Sequence, residues 1–490
     1  MNIAINNLAD KRSHLSNGGP EKTIPSWILW TQCSCFAVLY TIWDYPLTNF
    51  LSDLCMAIGA LLSVYILYIN RSFFKTKQAI AFWLLVALLG WIVFHLLFLS
   101  NNLPLQLREF TSIWKRVGIA MIFALGFGMA LSRSQAHKGY WVLFYAGMLM
   151  PTLIFLGKYW LNVSAPKYGW AVPEYLRIYA GRDSVFYLYK TDYVSFCLPA
   201  LAVSLAQLKR NLDQGRVFIA ANLVYLLSLL AVLTTFFLGN IKNGIAYSSM
   251  LIVVFSFLVL NSQFNKVASS RLKGAYLKSW LLKFLMLAMV AMISIPILMR
   301  HIDQNPSWQS LWVDSKVAVQ VDQNDSWKYW GARGYPLNEY GNPVSATNYE
   351  RLSWGIVGLR LLKENPLGYG LVQDSFGYLT KRKWPESLLT QSHSGWLDLG
   401  LGIGITGLGL ILCALLTGIY RAIKNAAKVG EEPNSQGIWS SRVIWILWAV
   451  LLLWATSEIS LKLHLIALIF WISFAIGLDA PKQALPSSSK

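Results

Sequence analysis

Charge is what this 490-residue sequence has least of: Asp, Glu, Lys and Arg make up 13%, against 55% hydrophobic residues. A water-soluble chain of this length needs far more charge to cover its surface, so a cytosolic enzyme is excluded. Acids are scarcer still, 23 against 42 basic residues, and the formal net charge is +19. Basic residues kept on one side of a bilayer explain that excess more simply than nucleic-acid binding does. Cysteine is sparse, and Cys33, Cys35, Cys55, Cys197 and Cys413 all lie in apolar stretches. That excludes a disulfide framework, and Cys33-x-Cys35 reads as packing rather than a metal site. The polar first 25 residues carry no short apolar core with a cleavage site, so no removable signal peptide is expected. There is no G-x-x-x-x-G-K-[ST] loop and no Asp-x-Asp pair, and Asp44 and Asp53 stand alone in the first outer loop. No His/Asp/Glu cluster has metal-ligand spacing, so the expected chemistry uses neither metal nor other cofactor.

Apolar runs are what the sequence has in quantity. Mean hydropathy is +0.45, and there are 22 Trp, 23 Tyr and 24 Phe. A window the length of a membrane span picks out twelve candidates: 26–45, 47–69, 79–99, 113–132, 140–161, 187–207, 217–238, 244–261, 280–299, 393–419, 438–457 and 462–479. Every even-numbered span is followed by basic residues. They are Arg71, Lys75 and Lys77; Arg133 and Lys138; Lys209, Arg210 and Arg216; Lys266, Arg271, Lys273 and Lys278; and Arg421, Lys424 and Lys428. That pattern puts both termini in the cytoplasm. The expected fold is all-α, with a tail at 1–25, nine spans in 26–299, an outer loop at 300–392, three spans in 393–479 and a tail at 480–490.

The outer loop is too long for a simple connection, and loops of that length are usually functional. It is nearly neutral, with ten basic and nine acidic residues, and is crowded with Trp308, Trp312, Trp327, Trp330, Trp354 and Trp384. Aromatic faces can stack on sugar rings; the alternative reading is an interfacial belt. Within it, 348–364 predicts a helix capped by Asn348, its apolar face on the membrane surface and Arg351 and Arg360 near headgroups. The helix stops at Asn365-Pro366, and Gly368 and Gly370 follow as turn residues.

Polar sequence around His393 runs directly into span ten. An imidazole at a helix amino terminus is held neutral by the dipole and can take a proton from a hydroxyl. The alternative is a histidine that merely bonds its own loop. Gly400 and Gly404 read as a small-xxx-small pair for helix packing. Arg177 and Arg182 before span six, and Arg351 in the loop, offer planar forks suited to phosphate or to a pyrophosphate leaving group. Arg108, Lys115 and Arg116 read as snorkelling to lipid.

His393-Ser394, nine residues, Gly404, Ile405-Thr406, Gly407 resembles the pattern shared by bacterial O-antigen ligases, within the wider O-antigen ligase/polymerase group. Arg351-Leu-Ser-Trp354 followed by Asn365-Pro366-Leu-Gly368-Tyr-Gly370 is similar to that group's upstream stretch, and Gly181-Arg182 to its other outward arginine. Two places depart from it. Lys242-Asn243-Gly244 stands where many members have Ser-Arg-Gly, and Glu458 where relatives often have Asp. The resemblance implies an enzyme of the bacterial inner membrane with its site facing the periplasm. It would move a preassembled glycan en bloc from undecaprenyl pyrophosphate to a sugar hydroxyl of lipid A–core, with inversion and without a metal, completing lipopolysaccharide. His393 would be the general base or the group that orients the acceptor, Arg351 and Arg182 would bind the pyrophosphate, and Arg177, Lys242, Ser394 and Glu458 would contact substrate. The competing readings are an O-antigen polymerase, a protein O-oligosaccharyltransferase and a transporter of lipid-linked glycan.

Overall fold

The computed structural model describes residues 24–43, 45, 48–134, 138–177, 190–267, 273–427, 435–456 and 461–480. Long apolar runs become helices because a helix satisfies its own backbone polar groups where no water can. In chain order these are α1 (Ser26–Ile42), α2 (Asn49–Ile69), α3 (Ile80–Phe94), the short α4 (Leu103–Glu109), α5 (Lys115–Arg133) and α6 (Lys138–Tyr168). Next come α7 (Lys190–Asp213), α8 (Ala220–Leu238), α9 (Lys242–Val267) and α10 (Lys273–Asp303). The intervening segment holds α11 (Leu311–Ala318), α12 (Ala346–Glu364) and α13 (Ser375–Lys383), and the chain closes with α14 (Gly395–Ala427), α15 (Ser435–Thr456) and α16 (Leu461–Leu478). Among the described residues the only extended pairing is an isolated bridge between Leu337 and Pro343. Among the described residues, ten helical stretches are long and apolar enough to cross a membrane; Ser26–Ile42 and Lys462–Leu478 are shorter apolar helices. This is an all-helical, polytopic membrane protein.

α16 packs along α5, α1 along α6, and α14 against α3 and α15. Aromatic rings fill the interior: Phe36 stacks on Phe144 at 4.3 Å and meets Phe127 and Phe470 within 6 Å. A few hydrogen bonds tie helices across it, such as Gln32 Nε2 to Ser63 Oγ at 2.9 Å and Ser63 Oγ to the Phe123 carbonyl at 2.9 Å. Outside, Phe50, Leu61, Phe98 and Phe257 are exposed, an apolar surface suited to lipid. Asp53 has a cationic partner. It pairs with Arg116 at 2.7 Å, so that arginine is held by a carboxylate instead of reaching for lipid.

Residues 304–394 form a cap with a separate core, in which Trp327, Tyr349, Trp354, Val357, Leu361 and Phe376 close on Leu397 and Leu401 of α14. α12 is the expected helix in a different role. Its apolar face is buried in the cap, packed on α11 and α14, rather than lying on a membrane surface. Arg360 forms a two-pronged pair with Asp322 at 2.6 and 2.9 Å instead of meeting headgroups. The cap residue is Ser345, not Asn348, whose amide donates to the Ser307 carbonyl and to Asp314 Oδ2. Asp314, fully buried, also accepts from Ser310, Asn338 and the Ser345 N–H. Burial pushes this carboxyl up, but those four donors outweigh it and hold it below the ordinary aspartate value.

Candidate functional site

The site is built where the cap meets the N-terminal end of α14. Ser394 turns the chain into the helix, its hydroxyl accepting the Leu397 N–H at 3.4 Å, and Asp398 in the first turn accepts the Ser392 N–H at 2.9 Å. Between them His393 adopts a left-handed backbone (φ 58), a conformation unfavourable for a residue with a Cβ unless the surroundings impose it. Its ring lies flat on Trp354 (4.8 Å, 12°) and stands edge-on to Trp330 (6.4 Å, 86°). Trp354 is itself fixed, its Nε1–H donating to the Trp327 carbonyl at 2.8 Å. The imidazole is therefore aimed by the cap core.

Arg351, in the second turn of α12, lines two cavities. One, of about 330 Å³, is walled by Gly355, Leu359, Leu362 and Leu408, with His393 and Ser394 at its polar corner. The other, of about 290 Å³, is polar and lined by Lys190, Thr191, Asn240, Lys242 and Asn243; no acidic residue lines it. Arg351 Nη1 donates to Asn243 Oδ1, Lys242 Nζ to Ser307 Oγ at 2.6 Å, and Lys190 Nζ to the Asn240 carbonyl at 3.4 Å. The charged groups facing Lys242 are Lys190 and Arg351, both cations. Three like charges around one cavity suit a polyanion. Next to Thr191, Asp192 points away and pairs with buried His464 at 3.3 Å.

Behind the histidine, α14 is broken: Gly404 has φ 75 and ψ 175. It is the point where the helix opens, not half of a packing pair within a continuous helix. Residues 366–370 fill the opening. The Tyr369 and Gly370 N–H groups donate to the carbonyls of Leu401 and Gly402, and the Ile405 N–H donates to the Pro366 carbonyl, each at 2.8 Å. The segment fits only because Gly368 and Gly404 meet face to face; a Cβ on either would strike the other's backbone or that of Leu367. The hairpin between α3 and α5 grips the plug from the far side. His95 Nε2 meets the Leu367 carbonyl at 3.1 Å while its Nδ1 receives the Gln106 amide at 3.1 Å, which fixes the tautomer with Nε2–H as donor. The Glu109 carboxylate accepts from the Val372 N–H at 2.6 Å and the Gln373 N–H at 3.1 Å. Trp91 Nε1–H donates to the Ile403 carbonyl at 2.7 Å.

Of the residues singled out from sequence, Arg351, His393 and Ser394 come together around one cavity, and Lys242 joins Arg351 at the other. Arg177 is exposed and lines neither. Arg182 and Glu458 lie outside the described residues. Sequence reasoning missed Lys190, Asn243, the Trp354 floor, Asp398, and the plug clamp of His95, Gln106 and Glu109. An acid in the first turn of an apolar helix, and a Gln–Glu pair beside an apolar span, were the signals for Asp398 and the clamp. Among the described residues no three His, Cys, Asp or Glu side chains are grouped to hold a metal ion. No protein-family model matches the chain, and a search of the curated proteins finds no similar sequence.

Proposed function

We propose that this is a glycan transferase of the O-antigen ligase type, with twelve spans, cytoplasmic termini and the cap on the periplasmic side of the inner membrane. The observation that carries the reading is the position of Arg351, shared between a carboxylate-free basic cavity and an apolar cavity containing an immobilised histidine. In this reading the pyrophosphate of an undecaprenyl-linked glycan lies against Lys190, Lys242 and Arg351. The lipid A–core acceptor brings its sugar hydroxyl to His393. The hydroxyl oxygen forms a bond to the anomeric carbon on the face opposite the pyrophosphate, and His393 takes its proton. The anomeric C–O bond breaks, its electron pair leaving with the lipid pyrophosphate, whose charge Arg351 and the lysines neutralise. Opposite-face attack inverts the anomeric centre. The short resemblance around His393 and Gly404 points the same way.

The broken α14 bears on the transporter alternative. Transporters use such breaks to present free helix ends to substrate. Here the carbonyls of Leu401, Gly402 and Ile403 and the Ile405 N–H are taken by the plug and Trp91, which favours a fixed scaffold.

The test is the fate of the glycan in a strain lacking the gene, complemented by wild type or by His393→Ala. Polymer stranded on the lipid carrier with bare core, relieved by wild type alone, is the expected result. Core capped by a single repeat unit would replace this reading with the polymerase, and full ligation by a normally inserted His393→Ala protein would remove His393 from the mechanism.

A further inference from the structure

Trp330 and His393 are 63 residues apart, yet both hold left-handed backbone (φ 47 and 58) and bring their rings to 6.4 Å, perpendicular to one another. Large aromatics rarely adopt that conformation, and where they do the surrounding fold imposes it, most often at functional sites. Three neighbouring rings of the cap core are closed off: Trp327, Tyr349 and Trp354 are at most 2% exposed, while Trp330 is 48% exposed. Nearby aromatics carry cations. Lys328 lies over Trp327 and Trp384, and Arg333 covers Tyr329 at 3.8 Å. Trp330 keeps a bare ring surface, braced edge-on against buried Trp354 at 6.0 Å.

We infer that Trp330 is a stacking platform for a pyranose ring, the acceptor sugar whose hydroxyl is presented to His393. The inference rests on the glycosyl transfer proposed above and names the binding surface that reaction lacks. A pyranose has an apolar C–H face that suits the electron-rich face of an indole, while its hydroxyls point outward around the rim. A ring laid on Trp330 places rim hydroxyls beside it, within the short distance that separates Trp330 from His393. The donor's charged end belongs elsewhere, because Lys190 and Lys242 lie on the other side of Arg351, in a cavity that Trp330 does not line. The Trp354 floor fixes both residues at once, so platform and base keep their spacing through a shared support.

The test uses the purified full-length chain in lipid nanodiscs, with an undecaprenyl-pyrophosphate-linked glycan as donor and lipid A–core as acceptor. Trp330→Ala is expected to raise the acceptor KM about tenfold or more, the usual cost of truncating an aromatic anchor, with donor KM unchanged. Trp330→Phe, which keeps an aromatic face, is expected to restore most of it. Soluble core oligosaccharide without its lipid, titrated in the absence of donor, should bind wild type and His393→Ala alike and bind Trp330→Ala more weakly by the same factor. Unchanged acceptor KM and oligosaccharide binding in Trp330→Ala would overturn the platform while leaving the transferase reading intact. Equal damage to donor and acceptor KM, with loss of the protein from the membrane, would make Trp330 an interfacial anchor instead. If the wild-type chain transfers no glycan, the transferase reading fails and the platform falls with it.

Discussion

Two cavities of similar volume share Arg351 and little else. One is walled by leucines with a single imidazole at its corner; the other collects lysines, asparagines and no acid. In the proposed transfer, that arrangement would let one arginine serve both halves of a displacement. On that proposal the basic side would supply the charge a leaving anion needs, and the apolar side would keep water from the reacting centre. Arg351 bonds the amide oxygen of Asn243 and lines both cavities.

The strongest way to break the comparison is to remove what the halves share. Arg351→Ala should cost about 10²–10³ in transfer, as loss of one preorganised charge donor does, with protein levels in the membrane unchanged. Arg351→Lys should recover only part of it, since a point charge cannot fork between the two sides. His393→Ala should lose about 10²–10⁴, but donor binding, measured with labelled lipid pyrophosphate, should be normal. Lys242→Ala is expected to show the converse and smaller effect, weaker donor binding by about tenfold with acceptor KM unchanged. Equal responses of both substrates to His393 and Lys242 changes would mean that the two cavities are one.

Gly355 sharpens the comparison from the apolar side. A Cβ there meets nothing within 4 Å, so Gly355→Leu should fill the cavity and gain up to about 1 kcal/mol in helix propensity. Transfer should fall while the melting temperature holds or rises. The smallest effect concerns the cap that carries both walls. Asp314 titrates below its unfolded value, so its contribution is complete above about pH 4 and is lost as pH falls through the folded value. Hydrogen exchange in α11 and α12 should accelerate below pH 4, and Asp314→Asn should remove that pH dependence. Cap exchange that is flat from pH 5 to pH 3 in wild type would count against this role.

The spans were legible because hydropathy needs only length and composition. Among the described residues, ten of the apolar stretches are helices long enough to cross a membrane, and two more are shorter apolar helices. His393 stood out because polar sequence ran straight into an apolar helix. The break at Gly404 did not, since Leu401, Ile403 and Ile405 continue the apolar run through it and the cause lies in a loop about 35 residues upstream. α12 showed its helical period but not its neighbour: the same apolar face serves a membrane surface or a protein core, and only tertiary contact with α14 decides. Lys190 was invisible because its partner cations come from other segments.

The plug has a consequence for how the protein is made. Glu109 leaves the ribosome 263 residues before Val372, the backbone group it will hold, and His95 precedes Leu367 by 272. Until the plug arrives, the Glu109 carboxylate and His95 Nε2 lack the backbone partners they hold in the finished fold, while His95 Nδ1 can already take the Gln106 amide. Glu109, His95 and Gln106 form a socket waiting on a late insert. A chain stopped before residue 366 would carry the socket without the insert that fills it.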